Sequence, residues 1–465
     1  MGNPRFMLAA GASGSGKTLI TCGILAALGR RGLKVSSFKC GPDYIDPMFH
    51  ARILKAKSRN LDTFFTNPAM TRYLFARSAK GTDVSVMEGV MGYYDGLGGT
   101  TEKAGAWDLA RTTDTPAVLI VNAKGMSLSL LAYIKGFLTY REDSRIRGVI
   151  LNQISPMLYP KLRDRIQEEL GVRVYGYVPK LTDFSLDSRH LGLVLPGEIA
   201  NLEEKFAQLG ETLEKTLDLD GLLALADTAP EIPEQMPEEL EALLKSERAR
   251  KIREAAPKIA VAKDEAFCFL YEDNLQLLKD LGARLCFFSP IHDERIPADA
   301  EGLLLYGGYP ELYARELAEN ASMRESVREG IAGGLPHLAE CGGFLYLHEE
   351  LEDMNGQSFP GCANVAGKGF RTPKLSRFGY VTLEAEREGV LGGNGPIKGH
   401  EFHYFDSTSC GEDFTARKPL GGRSWKCIHA GEAFLEGFPH LYYYSRPEFA
   451  AEFLEKCAEF GRKEP

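Results

Sequence analysis

The sequence predicts an α/β protein built from two large domains. Short apolar runs alternate with amphipathic stretches up to about residue 195, and a second alternation begins at residue 258. The apolar runs are continuous, which is typical of strands buried on both faces of a parallel sheet. A chain of 465 residues is also long enough for two domains of this kind.

The predicted strands of the first half are RFMLAAG, LKVSSFKC, DVSVMEGV, PAVLIVNA and RGVILNQI, with the helical stretch TLITCGILAALGRRG after the first. Between them, helices should cover both faces of a mostly parallel sheet. In the second half, KIAVAKD, GLLLYGGYPEL and LPHLAECGGFLYLHEE continue the pattern, and strands and turns dominate after residue 375 until a last helix at PEFAAEFLEKCAEF. The segment between the halves is rich in proline and charge. We predict a domain at 1–225, a linker at 226–257 and a domain at 258–465.

Composition excludes several classes of function. Lys and Arg total 55 against 64 Asp and Glu, so the chain, with a net charge of −9, lacks the basic field of a nucleic-acid-binding protein. The nine cysteines include no C-x-x-C pair, which favours a reduced, cytoplasmic protein. No apolar stretch approaches the length of a membrane span, so no membrane partner is expected.

The most specific motif is GASGSGKT, from Gly11 to Thr18, which satisfies G-x-x-x-x-G-K-[ST] between a predicted strand and helix. In such a P-loop the backbone N–H groups contact phosphates, Lys17 reaches the β and γ phosphates of ATP, and Thr18 can ligate Mg²⁺. The strand and helix context disfavours the alternative of a glycine-rich turn beside a solvated lysine. The predicted nucleotide-binding residues of this loop are Gly11, Ser13, Gly14, Ser15, Gly16, Lys17 and Thr18.

Carboxylates follow the second and third predicted strands, where a parallel sheet places its active-site loops. FKCGPDYIDP carries Asp43 and Asp46, and VMEGVMGYYDG carries Glu88 and Asp95. Because Mg²⁺ needs one or two carboxylates beside the phosphates, we predict Asp43 and Glu88 as its ligands together with Thr18. Shaping of turns is the simpler alternative role for such residues.

Cys341 in LPHLAECGGFLYLHEE lies between a predicted strand and helix and precedes two glycines. This is the outline of a nucleophile elbow, in which a helix N-terminus favours the thiolate. The N–H of Gly342 and those of YGGYPE, which contains Gly308, could form an oxyanion hole. Most single cysteines are inert core residues, and the other eight are expected to be so.

A general base for Cys341 should be a histidine distant in sequence. The candidates are His400 and His403 in KGHEFHY and His440 in GFPHLYYYS. Spacing alone does not choose among them.

The motifs GASGSGKT, GPDYIDP, NLD, EGVMGYYDG, RHLGLV, GGYPE, AECGG and GHEFHY occur in this order, and with them the chain resembles the cobyrinic acid a,c-diamide synthase family over essentially its whole length. These are glutamine-dependent amidotransferases of corrin and related tetrapyrrole biosynthesis. The resemblance implies an N-terminal P-loop domain like that of dethiobiotin synthetase and a C-terminal domain like the class I glutamine amidotransferases.

The resemblance also implies roles for individual residues. It makes Cys341 the nucleophile and His440 its base, and Asn152, which ends RGVILN, resembles the adenine-reading residue of related P-loop folds. Many class I glutaminases carry an acid two residues after the histidine, where this chain has Tyr442, and Asn122 replaces a common Asp. The orienting acid is therefore not identified. The residues assigned to substrate contacts are Tyr44, Asp46, Asp95, Gly308 and Gly342.

The expected reaction amidates the a and c carboxylates of cobyrinic acid. A carboxylate has no good leaving group, so ATP would form an acyl phosphate, which ammonia from glutamine then attacks. Ni-sirohydrochlorin and hydrogenobyrinic acid are alternative substrates that the motifs do not separate from cobyrinic acid. A P-loop switch ATPase is a remoter alternative, since it leaves the Cys341 elbow without a use. A homodimer is possible.

Overall fold

The computed structural model describes residues 2–55, 58–181, 188–189, 192–193, 195–199, 201–375 and 377–462. The chain forms two compact units, Met1–Pro237 and Glu238–Pro465. The boundary falls inside the predicted linker, 226–257, whose C-terminal part forms two helices of the second unit. The predicted RHLGLV motif lies outside the residues whose side chains are described. No helix of the described segments is long and apolar enough to cross a membrane.

The first unit is built on a parallel sheet of seven strands in the order β3-β2-β4-β1-β5-β6-β7. Its strands are β1 (Arg5–Ala10), β2 (Val35–Cys40), β3 (Arg59–Leu61), β4 (Val84–Glu88), β5 (Ala117–Asn122), β6 (Ile146–Asn152) and β7 (Arg173–Val178), with a short pair, β8 (Ser188–Arg189) and β9 (Gly192–Leu193). Its helices are α1 (Lys17–Arg30), α2 (Ile45–Leu54), α3 (Pro68–Ala79), α4 (Ala106–Thr112), α5 (Ser129–Thr139), α6 (Tyr159–Leu170), α7 (Leu202–Thr216) and α8 (Leu219–Ala226).

The predicted parallel sheet is confirmed, and its five predicted strands are β1, β2, β4, β5 and β6. Every residue of β1 is buried, because helices cover both faces. The prediction missed β3 and β7, so VSVME is the fourth strand along the chain and not the third. Both missed strands lie at sheet edges, where a continuous apolar run is not required.

The strand order of the first unit places the loops after β1, β2 and β4 at one edge of the sheet. The sheet order changes direction at β1, which pairs with both β4 and β5, and ligands of open parallel sheets bind at the carboxyl ends of strands beside such a point. Lys39 near the end of β2 is in register with Glu88 at the end of β4. The P-loop follows β1 at the same edge.

The second unit combines a mostly parallel six-stranded sheet, β11-β10-β12-β13-β23-β22, with four- and five-stranded sheets, β15-β14-β16-β19 and β21-β20-β17-β18-β24. Its strands are β10 (Lys258–Ala262), β11 (Arg284–Phe288), β12 (Gly302–Leu305), β13 (His337–Glu340), β14 (His348–Glu352), β15 (Ser358–Pro360), β16 (Val365–Arg371), β17 (Arg377–Ala385), β18 (Ile397–His403), β19 (Phe405–Ser407), β20 (Phe414–Arg417), β21 (Ser424–Cys427), β22 (His429–Ala430), β23 (Phe434–Gly437) and β24 (His440–Leu441). Its helices are α9 (Glu238–Lys245), α10 (Glu247–Ala255), α11 (Glu272–Leu281), α12 (Ala314–Glu319), α13 (Ala321–Ala332), α14 (Gly342–Tyr346) and α15 (Pro447–Gly461).

In the six-stranded sheet, β13 lies between β12 and β23, and all three run parallel. Their carboxyl ends therefore meet at one edge. Gly307 and Gly308 follow β12, Cys341 follows β13, and His440 lies three residues beyond β23. The sheet thus collects the segments of the second predicted site.

Candidate active sites

The P-loop connects β1 to α1, and two of its glycines adopt backbone conformations that other residues rarely take. Gly14 has φ 74° and Gly16 has φ 89°. A Cβ atom on Gly16 would lie 2.7 Å from Nδ2 of Asn152. That amide donates a hydrogen bond to the Ser15 carbonyl at 2.9 Å, so Asn152, predicted as an adenine reader, contacts the loop itself.

Lys17 folds over the P-loop. Its Nζ donates to the carbonyl of Ala12 at 3.1 Å and to that of Met91, in the loop after β4, at 2.6 Å. Burial, with the nearby charge of Lys39, lowers the pKa of Lys17 to about 8. An anion bound here would oppose that shift, because it stabilises the ammonium.

A buried cluster of charges lies next to the P-loop. Thr18 Oγ1 is 2.8 Å from Glu88 Oε1 and 3.2 Å from Asp46 Oδ2. Lys39 Nζ lies between the same carboxylates, 2.8 Å from Glu88 Oε1 and 2.5 Å from Asp46 Oδ2. The second oxygen of Glu88 is 2.8 Å from His50 Nε2. The site therefore presents hydroxyl and carboxylate oxygens around one ammonium.

The cluster differs from the predicted one in a single carboxylate. Asp43 Oδ1 accepts the N–H groups of Ile45 at 2.8 Å and Asp46 at 3.1 Å, at the start of α2. The oxygen that lies beside Thr18 belongs to Asp46, which was assigned to substrate and not to metal. Since α2 begins at Ile45, Asp43 serves its free N–H groups and Asp46 lies in its first turn.

Electrostatics in the cluster follow from burial and from Lys39. Burial opposes ionisation of Glu88, but the charge of Lys39 and the hydrogen bond with His50 outweigh it and hold the pKa of Glu88 well below its usual range. Burial and the charge of Asp43 raise the pKa of Asp46. Burial disfavours the Lys39 ammonium, yet Asp46 and Glu88 raise its pKa overall. The charged lysine thus stabilises Glu88 as a carboxylate.

Lys39 and His50 were not predicted from the sequence. Lysine is rarely fully buried without a partner, so a lysine in the apolar run VSSFKC is the signal that could have revealed this one. The remaining residues predicted to contact substrate in this unit are Tyr44 and Asp95. Tyr44 precedes α2 and is buried, and Asp95 Oδ2 accepts the N–H of Gly92 at 3.0 Å.

Oxygen donors for Mg²⁺ are present at this site. In the described segments, no three or more His, Cys, Asp or Glu side chains are arranged to hold a metal ion. The Thr18 hydroxyl with the oxygens of Glu88 and Asp46 is nevertheless the kind of incomplete oxygen set that Mg²⁺ completes with phosphate oxygens and water.

The second site centres on Cys341, which joins β13 to α14 with φ 47° and ψ −102°. A positive φ is unusual for a residue with a Cβ atom and is a feature of strained nucleophile turns. Its N–H donates to the Gly437 carbonyl at 2.8 Å, which ties the turn to β23. The side chain is buried within a core cluster.

The resting state of Cys341 contradicts the expectation of a thiolate. Burial, followed by the negative charge of Glu311, raises the pKa of the Cys341 thiol well above its ordinary value. The N–H of Gly342 acts in the opposite direction but is outweighed. The helix that follows has only five residues and does not compensate for loss of water. Cys341 is therefore a thiol that needs a base at the moment of reaction.

Three segments converge around the nucleophile. A Cβ atom on Gly342 would lie 3.0 Å from the backbone nitrogen of Gly308, so the two predicted oxyanion-hole residues are neighbours. A Cβ atom on Gly307 would lie 2.3 Å from Cε1 of His440. Glycine at both positions permits these close approaches.

Of the three candidate histidines, His440 is the one that lies next to the glycines beside Cys341. His400 is its cross-strand partner, and the two rings stack with centroids 4.9 Å apart. His403 stacks on Phe438 at 4.1 Å, and its Nε2 is 3.0 Å from Glu401 Oε2. Burial, with the charges of His400 and His403, lowers the pKa of His440 well below 6.5. A neutral imidazole, which can accept a proton, is the result.

An acidic side chain that was not predicted from the sequence lies beside His440. Glu340, the last residue of β13, is buried, and its Oε2 lies 3.8 Å from His440 Nδ1. Burial raises the pKa of Glu340 well above its usual value. Tyr442, at the position where many glutaminases have an acid, is hydrogen-bonded through its hydroxyl to Asp273 at 3.3 Å. The signal in the sequence was a glutamate directly before the nucleophile, inside an apolar strand.

Two family models match the chain. The CobQ/CobB/MinD/ParA nucleotide binding domain matches residues 6–194, and the CobB/CobQ-like glutamine amidotransferase domain matches residues 258–422. The two predicted domain types are thereby confirmed.

Relatives match over nearly the whole length. The chain is 38% identical to the cobyrinate a,c-diamide synthase of Caldanaerobacter subterraneus subsp. tengcongensis, over 98% of this chain and 99% of the relative. It is 35% identical to that of Dehalococcoides mccartyi, over 99% of each chain, and 35% identical to that of Priestia megaterium, over 98% of each. Both sites lie within the matched region.

Proposed function

The chain belongs to the cobyrinate a,c-diamide synthase family, and on this premise we propose that it converts the a and c carboxylates of cobyrinic acid to amides, with ATP and glutamine as co-substrates. One observation supports this most directly. A P-loop with a buried Lys39–Glu88–Asp46 cluster and a strained cysteine turn with a neighbouring histidine occur in one chain. A P-loop switch ATPase would have no use for the second site.

The P-loop unit activates the substrate. A substrate carboxylate oxygen attacks the γ phosphorus of ATP, the bond to the bridging oxygen breaks, and ADP leaves. Lys17 and the N–H groups of the P-loop balance negative charge on the transferred phosphoryl group. Mg²⁺, held by Thr18, Glu88 and Asp46, would supply further positive charge at the phosphates.

The cysteine unit supplies ammonia. Cys341 passes its proton to His440, and the sulfur attacks the side-chain amide carbon of glutamine while the N–H groups of Gly342 and Gly308 stabilise the oxyanion. The amide nitrogen takes the proton and leaves as ammonia, and water then hydrolyses the thioester to glutamate. Ammonia attacks the acyl phosphate, and phosphate leaves.

The proposed substrate is tested with a panel of macrocycles. We expect ATP- and glutamine-dependent formation of the a,c-diamide from cobyrinic acid, followed by mass spectrometry, with Ni-sirohydrochlorin and hydrogenobyrinic acid in parallel reactions. The substrate with the highest kcat/KM identifies the physiological class. Faster amidation of either alternative would replace cobyrinic acid in the proposal.

We further propose that Glu340 positions His440 and that, in its ionised form, it stabilises the imidazolium that forms when Cys341 is deprotonated. The acid limb of glutaminase activity should lie below pH 6.5, because the lowered pKa keeps His440 neutral at lower pH. Glu340→Gln should reduce kcat for glutamine hydrolysis by up to about a hundredfold. It should also move the acid limb to still lower pH, because it removes an acid whose pKa burial has raised and, where that acid is ionised, a carboxylate that stabilises the imidazolium.

A matched control is Glu436→Gln. Glu436 is also buried and pairs with a histidine, His337, at 2.8 Å, but on the strand beside the nucleophile strand. It should leave the pH profile in place. A Glu340→Gln variant with lower activity but an unmoved acid limb would show that Glu340 is structural only.

A further inference from the structure

A cavity of about 560 Å³ opens in the first unit beside the P-loop, and aromatic side chains form much of its wall. We propose that this aromatic cavity, lined by Tyr94, Tyr133, Phe137 and Tyr140, binds one face of the carboxylated tetrapyrrole ring. This inference rests on the proposed function and identifies a binding site for its macrocyclic substrate. The cavity volume is within the range of about 300–1,000 Å³ for small-molecule sites.

The position of the cavity relative to the P-loop is the first support. Gly11, the first residue of the P-loop, lines it, and a Cβ atom on Gly11 would lie 1.8 Å from the Tyr133 hydroxyl oxygen. A Cβ atom on Gly92, in the loop after β4, would lie 2.8 Å from the Gly11 carbonyl oxygen. A ring in the cavity would therefore have its peripheral carboxylates next to the phosphate-binding loop, where acyl-phosphate formation takes place.

The wall itself is a surface suited to a flat conjugated ring. Tyr94 and Phe137 stack with centroids 5.8 Å apart and planes inclined by 18°. Tyr140 lies edge-on to Tyr94 at 4.9 Å, and Tyr133 lies 5.1 Å from Phe137. The Tyr94 hydroxyl donates to the Phe137 carbonyl at 2.7 Å, so the loop after β4 is fixed to α5. Such clustered rings offer a preorganised stacking surface.

These aromatic residues are not on the side of α5 that packs in the hydrophobic core. Helix α5 buries Leu130, Leu131 and Ile134, which complete its sheet-facing side. Tyr133, Phe137 and Tyr140 follow a helical spacing of four and three on another face. Tyr140 is 58% exposed, so its ring is accessible to a ligand that enters the cavity.

One cationic group at the rim suits the carboxylates of the substrate. The Arg141 guanidinium lies 4.7 Å from the centroid of the Tyr140 ring and pairs with Glu102, which lines the cavity. Because the pair is partly exposed, it is weak enough to exchange for a substrate carboxylate. A macrocycle has a flat face that can stack on the aromatic side chains and peripheral carboxylates that can pair with Arg141.

The proposal is tested by measuring the Kd of cobyrinic acid by equilibrium dialysis with the full-length chain, and the Kd of ATP by calorimetry in parallel. Tyr140→Ala should raise the Kd of cobyrinic acid by about fivefold to tenfold and leave ATP binding and glutaminase activity unchanged. Tyr140→Phe, which keeps the ring, should bind cobyrinic acid as the wild type does. Leu128→Ala, at a similarly exposed residue (55%) near the start of α5, is the matched control and should change nothing.

Two results would overturn this placement while leaving the proposed function intact. One is an unchanged Kd of cobyrinic acid in Tyr140→Ala, in a wild type that amidates the compound. The other is a raised Kd of ATP alone, which would assign the cavity to the adenine base. A wild type that neither binds nor amidates any of the three macrocycles would contradict the proposed function and this inference with it.

Discussion

Replacing Cys341 by alanine is expected to abolish glutamine-dependent amidation and to leave ammonia-dependent amidation near the wild-type rate. The sulfur forms the bond to the glutamine amide carbon, so its removal should lower glutamine hydrolysis by about a thousandfold or more. Free ammonia bypasses this step, because acyl-phosphate formation needs only the P-loop unit. Product formation with each nitrogen donor, at saturating ATP and macrocycle, gives the comparison.

The matched control for this prediction is Cys362→Ala. Cys362 is buried in the same core cluster, at 2% exposure against 6% for Cys341. It should retain activity with both donors, since loss of a buried sulfur there affects packing only. Equal loss with glutamine and with ammonia in Cys341→Ala would show that Cys341 supports the fold and is not the nucleophile.

The second large effect is expected at the P-loop. Lys17→Ala should lower amidation from both glutamine and ammonia on the order of a hundredfold or more, because the phosphoryl group is transferred before nitrogen enters. Lys17 is buried against the carbonyls of Ala12 and Met91, a position from which its ammonium can turn to phosphate. The measurement is ammonia-dependent diamide formation at several ATP concentrations.

Lys34→Ala, which removes an exposed lysine directly before β2, provides the control for charge and should not alter the rate. Hydrolysis of glutamine should proceed equally in Lys17→Ala and in the wild type, which would show that the cysteine site is intact. Near-normal ammonia-dependent turnover in Lys17→Ala would remove the P-loop from the proposed mechanism.

The two sites differ in how far local sequence could predict them. Residues 11–18 specify a P-loop by themselves, since glycines with positive φ and a following helix create the anion site within eight residues. The elbow at Cys341 is likewise a local feature, with φ 47° between a strand and a helix. The partners of both are not local. Lys39 meets Glu88 only because β2 pairs with β4 in one register.

The choice between Asp43 and Asp46 shows the same limit. The two residues are three positions apart in the sequence, and spacing places either near the phosphates. The start of α2 at Ile45 decides between them, because Asp43 then binds free N–H groups and Asp46 lies beside Thr18. The prediction that Cys341 is a thiolate was wrong for a related reason. Local sequence predicts a helix end, but burial by distant segments controls the pKa.

The sequence by itself determined the α/β class, the two domain types, the P-loop and the nucleophile turn, because each depends on periodicity or on backbone conformations within a few consecutive residues. Only the tertiary structure decided which side chains share a site: Lys39 with Glu88, Glu340 with His440, and the rings of α5 with the loop after β4. These pairs are far apart along the chain. Strand order and register bring them together, and burial then sets their charge states.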